Sequence, residues 1–323
     1  MAIITVQLSS QTPLWKEYLN KSDELLNKRN FDGALENALQ ALQSVGKELG
    51  NEHFNYAQVL SRISQIYFIN GDLEKAAEYS GEEVILKKKI LPPNDPSYAS
   101  AIHNLSTIYQ SLGRYSDAEP LLKEALDIKR NTVGENDTSY AKTLNNYANN
   151  FYNMGNYKEA EKLYLQSISI KENSGMKGSV SYAYTMSSLG SLYHNLGNYP
   201  EAERCVAEAL NIMEKSLGEN HPETMKAESR LANIYLALGK NDKAVKLFEA
   251  VRSKQKKLLG DMHPDYAQSL YNTALVLWDA KKYNEAKDLI NQAKRSEERR
   301  VGKEGRSRWP PYHYKNKPAG ICE

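Results

Sequence analysis

Two cysteines in 323 residues, Cys205 and Cys322, are too few and too far apart for a disulfide framework or a zinc site. Both read as free thiols, which fits a reducing compartment. No stretch approaches the roughly 20 consecutive apolar residues of a membrane span. The opening ten residues lack the basic segment and apolar run of a secretory signal. The expected location is therefore the cytoplasm, with no membrane partner. A surplus of positive charge is missing as well. Of 42 Lys+Arg and 40 Asp+Glu, the last 29 residues hold 8 and 4, which leaves the body with 34 against 36. A mildly acidic body offers nothing to a phosphate backbone, so no nucleic-acid partner is expected.

What the sequence does have is a period. Tyr-Ala recurs at Tyr56-Ala57, Tyr98-Ala99, Tyr140-Ala141, Tyr182-Ala183 and Tyr266-Ala267, always in register with a 42-residue step, and Thr224 takes the missing place. Gly71, Gly113, Gly155, Gly197 and Gly239 keep that step, as do Ala76, Ala118, Ala160, Ala202, Ala244 and Ala286.

Each period encodes two helices. Leu144, Tyr147, Ala148 and Phe151 follow the i, i+3, i+4, i+7 spacing of an amphipathic helix, here helix A. Gly155 should end it in the left-handed conformation that glycine adopts without steric cost. Asn156 caps helix B, whose buried face reads Ala160, Leu163, Tyr164, Ser167 and Ile168. The small Ala160 lets the two helices approach closely. Linkers such as Leu217-Gly218-Glu219-Asn220-His221-Pro222 end helix B at the glycine and open the next helix A at the proline. A degenerate first unit carries Trp15, Leu19, Phe31, Ala34 and Leu42, so about seven units are expected. Two departures stand out: Glu228 replaces the apolar Leu144-type residue of its unit, and Lys281 replaces the turn glycine of the last.

Helix A with its small residue and tyrosine, the turn glycine and the following Tyr-x-Glu-Ala-Glu resemble a tetratricopeptide repeat. The 42-residue step and the Leu-Gly-x-x-His-Pro linker are similar to the kinesin light chain subclass. The resemblance covers residues 15–294 and implies an all-α, right-handed superhelical solenoid of antiparallel helix pairs that binds protein or peptide partners. Bacterial proteins with the same long repeat are similar too, and some carry a caspase-like CHAT protease domain after the array.

The expected organisation is a lead-in over 1–14, the array over 15–294 and a disordered, non-native tail over 295–323. The stretch from Arg295 to His313 has neither helical nor strand periodicity, and it resembles the in-frame translation of a sequencing adaptor, departing from it at Gly305 and Pro310. On that reading the natural chain can continue past Lys294 into an effector.

Nothing in the array reads as an active site, and the chain is not expected to be an enzyme or to hold a metal or cofactor. His53, His221 and His263 share one linker position a full unit apart, where other units have Asp95, Asp137 and Ser179, so they read as caps. His103 and His194 are isolated on helix A. Pairs such as Glu159 and Glu161 diverge on a helix and favour its positive N-terminal end. There is no phosphate-binding glycine loop and no Gly-x-Ser-x-Gly. Cys205 falls near the core face of helix B.

Stacked helix pairs line a concave face with helix A, so its unburied positions are the candidate site. Two residues past each Leu144-type position come Arg62, Asn104, Asn146, Ser188, Arg230 and Asn272. Asn149 and Asn233 lie three further on in their units, and Lys142 and Lys226 stand near their helix starts. Amides and hydroxyls suit the backbone of an extended peptide, and in the resembled family groove asparagines hold peptide backbones. The arginines and lysines favour acidic segments or a carboxylate terminus. The expected function is a scaffold or adaptor that binds such peptides. The alternative is the sensing half of a signalling enzyme, for example a CHAT-type protease, whose catalytic domain follows residue 294.

Overall fold

The computed structural model describes residues 12–279 and 281–304. Among them are fourteen helices and no strand. They pair as seven hairpins, in two compact units that divide between Lys177 and Gly178.

The first unit holds four hairpins: α1 (Leu14–Asn27) with α2 (Phe31–Leu49), α3 (Phe54–Asn70) with α4 (Leu73–Ile90), α5 (Pro96–Ser111) with α6 (Tyr115–Thr132), and α7 (Thr138–Asn153) with α8 (Tyr157–Asn173). The second holds three: α9 (Val180–Asn195) with α10 (Tyr199–Leu217), α11 (Pro222–Ala237) with α12 (Asn241–Leu259), and α13 (Pro264–Asp279) with α14 (Tyr283–Glu304). The all-α repeat array read from the 42-residue step is what the chain forms, with the degenerate first unit closing as a full hairpin.

Local chemistry sets the boundaries. The linker column caps helix A: the side chains of Asp95 and Asp137 accept from the backbone N–H of Ser97 and Ser139 at 2.7 Å, and His53 and His221 do the same through Nδ1 to Asn55 and Glu223. These two histidines are caps, as their column implies. At the hairpin turn Gly155 has φ +78°, and the Asn156 N–H reaches back to the Phe151 carbonyl at 2.8 Å, satisfying a carbonyl the helix end would otherwise orphan. The side chain of Asn156 then caps α8 by accepting from Glu159 N–H.

The core forms where helix A crosses helix B. Ala34, Ala76, Ala118, Ala160, Ala202, Ala244 and Ala286 are all fully buried, so backbones meet there with only a methyl between them. Cys205 is fully buried too, and burial pushes its thiol up to about 11.

One boundary differs from the sequence expectation. Order does not end at Lys294: α14 runs on to Glu304, so the disordered tail expected from 295 is corrected over 295–304. Its Glu, Arg and Lys residues propagate a helix without needing a core face, and the buried Ser296 hydroxyl donates to the Asp261 carbonyl. The rest of the tail, with Cys322, lies outside the described residues, as does the lead-in over 1–11.

Candidate peptide-binding groove

In the first unit, α3, α5 and α7 contribute the walls of one cavity of about 470 Å³, floored by α4. Asn104 and Lys142 stand exposed at this cavity, and Asn146 lines it half-buried. Three of the ten residues read from the helix A columns therefore converge on one site.

Asn146 is held in place. Its Nδ2 lies 3.1 Å from His103 Nε2, and its backbone carbonyl accepts from Gln110 Nε2 at 2.9 Å. His103 is no isolated surface residue: burial, with Lys129 and Lys142 nearby, pushes its imidazole down to about 4, so it is neutral at physiological pH. With Asn146 donating to Nε2, the ring proton sits on Nδ1, which is buried without a partner.

The expectation of a basic wall is corrected in two places. Arg62 is neutralised by Asp23 of α1, with Nε–Oδ1 at 2.9 Å, and donates its remaining arm to Gln65 at 2.6 Å. Lys226 is paired at 2.7 Å with Glu223 in the first turn of its own helix. In both cases an acid one turn or one helix away supplies the counter-charge that helix A periodicity alone does not reveal. Lys142 and Arg230 have no ion pair among the described residues. Arg230 instead donates to the Ser187 hydroxyl at 2.9 Å.

Asn149 is also tied to the scaffold: its Oδ1 accepts from the Tyr164 hydroxyl of α8 at 2.6 Å. In the second unit Asn233 is exposed, Ser188 is half-buried, and Asn272 accepts from Gln268 of its own helix at 2.8 Å. Sequence reasoning set His103 aside as isolated and passed over Ser80 and Glu83, and all three line the cavity. The signal was present, since Ser80 and Glu83 break columns that other repeats keep apolar or small.

No described helix is long and apolar enough to cross a membrane. The family model for the tetratricopeptide repeat matches residues 93–173, 181–250 and 223–296, more than half of the chain. No curated protein matches. Among solved structures, a putative kinesin light chain from Podosopora anserina with nearly identical TPR-like repeats is 26% identical, with a TM-score of 0.52 over 64% of this chain and 98% of that one. BtubC (BKLC) from P. vanneervenii is 20% identical, with a TM-score of 0.58 over 82% and 95%. A Rap protein complexed with Competence and Sporulation Factor shares the fold at 17% identity, with a TM-score of 0.63 over 90% and 77%. The chain thus belongs to the tetratricopeptide repeat family, with repeats of the kinesin light chain-like kind.

Proposed function

We propose that this protein is a non-enzymatic, cytoplasmic scaffold that binds an extended peptide segment of a partner across α3, α5 and α7. The observation that carries the reading is the cavity itself. It presents the exposed amide of Asn104, the positioned amide of Asn146 and the unneutralised ammonium of Lys142 within one recess. Amides satisfy both the N–H and the C=O of an extended backbone. With Arg62 and Lys226 neutralised, the preference for acidic residues rests on Lys142. About five hydrogen bonds at ~1 kcal/mol each plus one or two anchors, less the ordering cost, give an affinity on the order of micromolar.

Asn104 makes the cleanest test because its side chain is exposed and uncommitted. Asn104→Ala should weaken an acidic peptide about fivefold, the loss of one hydrogen bond of ~1 kcal/mol, without moving the melting temperature. Lys142→Glu should weaken it further and reverse its salt dependence. Fluorescence anisotropy with labelled peptides reads both. Unchanged affinity in both variants refutes the reading.

A further inference from the structure

The outer face of α4, turned away from the cavity, breaks two columns of the repeat. Ile85 is 72% exposed, and no other large apolar side chain among the described residues exceeds 51%. Its column is polar in every other hairpin: Gln43, Asp127, Ser169, Asn211, Ser253 and Arg295. One turn before it stands Gly81, in the column of Leu39, Lys123, Leu165, Ala207 and Glu249. Glycine inside a helix weakens it relative to alanine. A methyl added at Gly81 would meet no atom within 4 Å, so no neighbour within the fold requires the bare backbone. Four residues apart, Gly81 and Ile85 lie side by side, a hollow next to a knob. Charge is ordered about them: Glu74, Glu78 and Glu82 stand exposed toward the start of α4, and Lys88 and Lys89 toward its end. The two lysines have exposed partners, Lys88 with Glu124 at 3.7 Å and Lys89 with Glu52, and pairs so exposed exchange at little cost. Local rules broken together on one helix face, with no gain inside the chain, mark a functional surface.

We propose that α4 pairs antiparallel with α4 of a second copy of this chain, about a two-fold axis at the level of Glu83. A two-fold contact has to be self-complementary, residue i meeting j as j meets i. The axis that sets Ile85 over the partner's Gly81 also sets Glu78 over the partner's Lys88, because both pairs are centred on the same level of the helix. The knob then fills the hollow twice, and the opposite charges meet twice. A parallel pairing would put Glu78 against Glu78 and Lys88 against Lys88. The 18 residues of α4 span roughly 27 Å. One helix face of that length covers less than the ~800 Å² per partner of a stable interface, so the dimer is weak, on the order of tens of micromolar. The inner face of α4 floors the cavity with Ser80 and Glu83, and pairing through the outer face leaves that cavity open in both copies. This inference does not rest on the peptide reading.

Sedimentation equilibrium of the full chain, from about 5 to about 500 μM, tests it and should show a monomer–dimer equilibrium. Ile85→Gln, which installs the residue of the first hairpin, should weaken the dimer about tenfold or more without moving the melting temperature. Gly81→Lys, the residue of the third hairpin, should do the same with an unchanged or higher melting temperature. Glu78→Lys and Lys88→Glu should each weaken the dimer, whereas an equimolar mixture of the two variants, or both changes in one chain, should restore it. Only the antiparallel contact gives that pattern, since in a parallel one the single variants would pair no worse than the native chain. A chain that stays monomeric throughout assigns this face to a different protein and overturns the pairing. A dimer that Ile85→Gln and Gly81→Lys leave intact uses another surface and overturns it too. If those two variants break the dimer but the mixed charge variants stay monomeric, the antiparallel arrangement is overturned.

Discussion

The Glu228 carboxylate of α11 lies 2.6 Å from the Lys254 ammonium of α12, in a column that the adjacent repeats fill with Met186 and Leu270. The Glu228 side chain is only 6% exposed, its second oxygen has no partner, and burial raises its carboxyl above the usual range. Such a pair does little for stability compared with apolar packing, yet losing one partner strands the other. Lys254→Met alone should therefore cost roughly 3–5 kcal/mol at neutral pH. Adding Glu228→Leu should restore stability to at least the starting value. Urea unfolding of the two variants decides this, and a double variant as weak as the single one would show the pair to be irreplaceable.

His103 gives the first unit an acid sensitivity of its own. Its folded value of about 4 lies below the ordinary imidazole value of 6.5, so between these pH values the unfolded chain takes up a proton that the folded chain refuses. Stability from this group is full above pH 6.5 and falls as pH drops toward 4, by up to about 3 kcal/mol. Glu228 acts with the opposite sign: its raised carboxyl favours the folded state as pH falls toward 4.5. His103→Gln should flatten the acid loss, and Glu228→Gln should steepen it. Thermal melts from pH 7 to pH 4 separate the two.

Much of this fold was legible because a 42-residue period turns every position into a column. Caps, turn glycines and crossing alanines could be read from any one unit and checked in the others. The site was legible only in part, for a physical reason. Periodicity shows which helix face is open but not which acid on a neighbouring helix reaches back. Arg62 lost its free charge to Asp23, 39 residues earlier, and Asn149 lost its carbonyl oxygen to Tyr164. Only Asn104, Lys142 and Asn146 lie where the departures at Ser80 and Glu83 open a recess. A column that breaks proved as informative as a column that holds.

Gly190 takes the column of Ala148, Ala232 and Ala274 in helix A. A methyl added there would sit 2.4 Å from Val206 Cγ2 and 3.2 Å from the Ala202 carbonyl oxygen, both in α10. Val206 is fully buried, so its methyl cannot swing out into solvent to make room. Gly190→Ala should thus destabilise the second unit by about 1–3 kcal/mol, although alanine is the better helix former. Gly190→Ala combined with Val206→Ala should recover part of the loss. A gain in melting temperature from the single substitution would show that α9 and α10 separate easily.

Lys281 isolates the backbone cost of a hairpin turn. It occupies the column of Gly71, Gly113 and Gly155 at φ +62°, and the turn it makes is the same. Its N–H bonds the Trp278 carbonyl at 2.9 Å, and Lys282 N–H reaches the Leu277 carbonyl at 2.8 Å. The turn's hydrogen bonds and the Trp278–Tyr283 edge contact outweigh the strain of a Cβ in the left-handed region. The Lys281 side chain is exposed, so its removal forfeits no packing. Lys281→Gly should therefore stabilise the last hairpin by about 1 kcal/mol. Lys281→Ala removes the same charge but keeps the Cβ, and it should give no comparable gain. If the two variants melt alike, the benefit comes from charge and not from backbone conformation. If glycine alone raises the melting temperature, the strain at Lys281 is real, and Arg29, at φ +58° in the equivalent turn of the first hairpin, should respond in the same way.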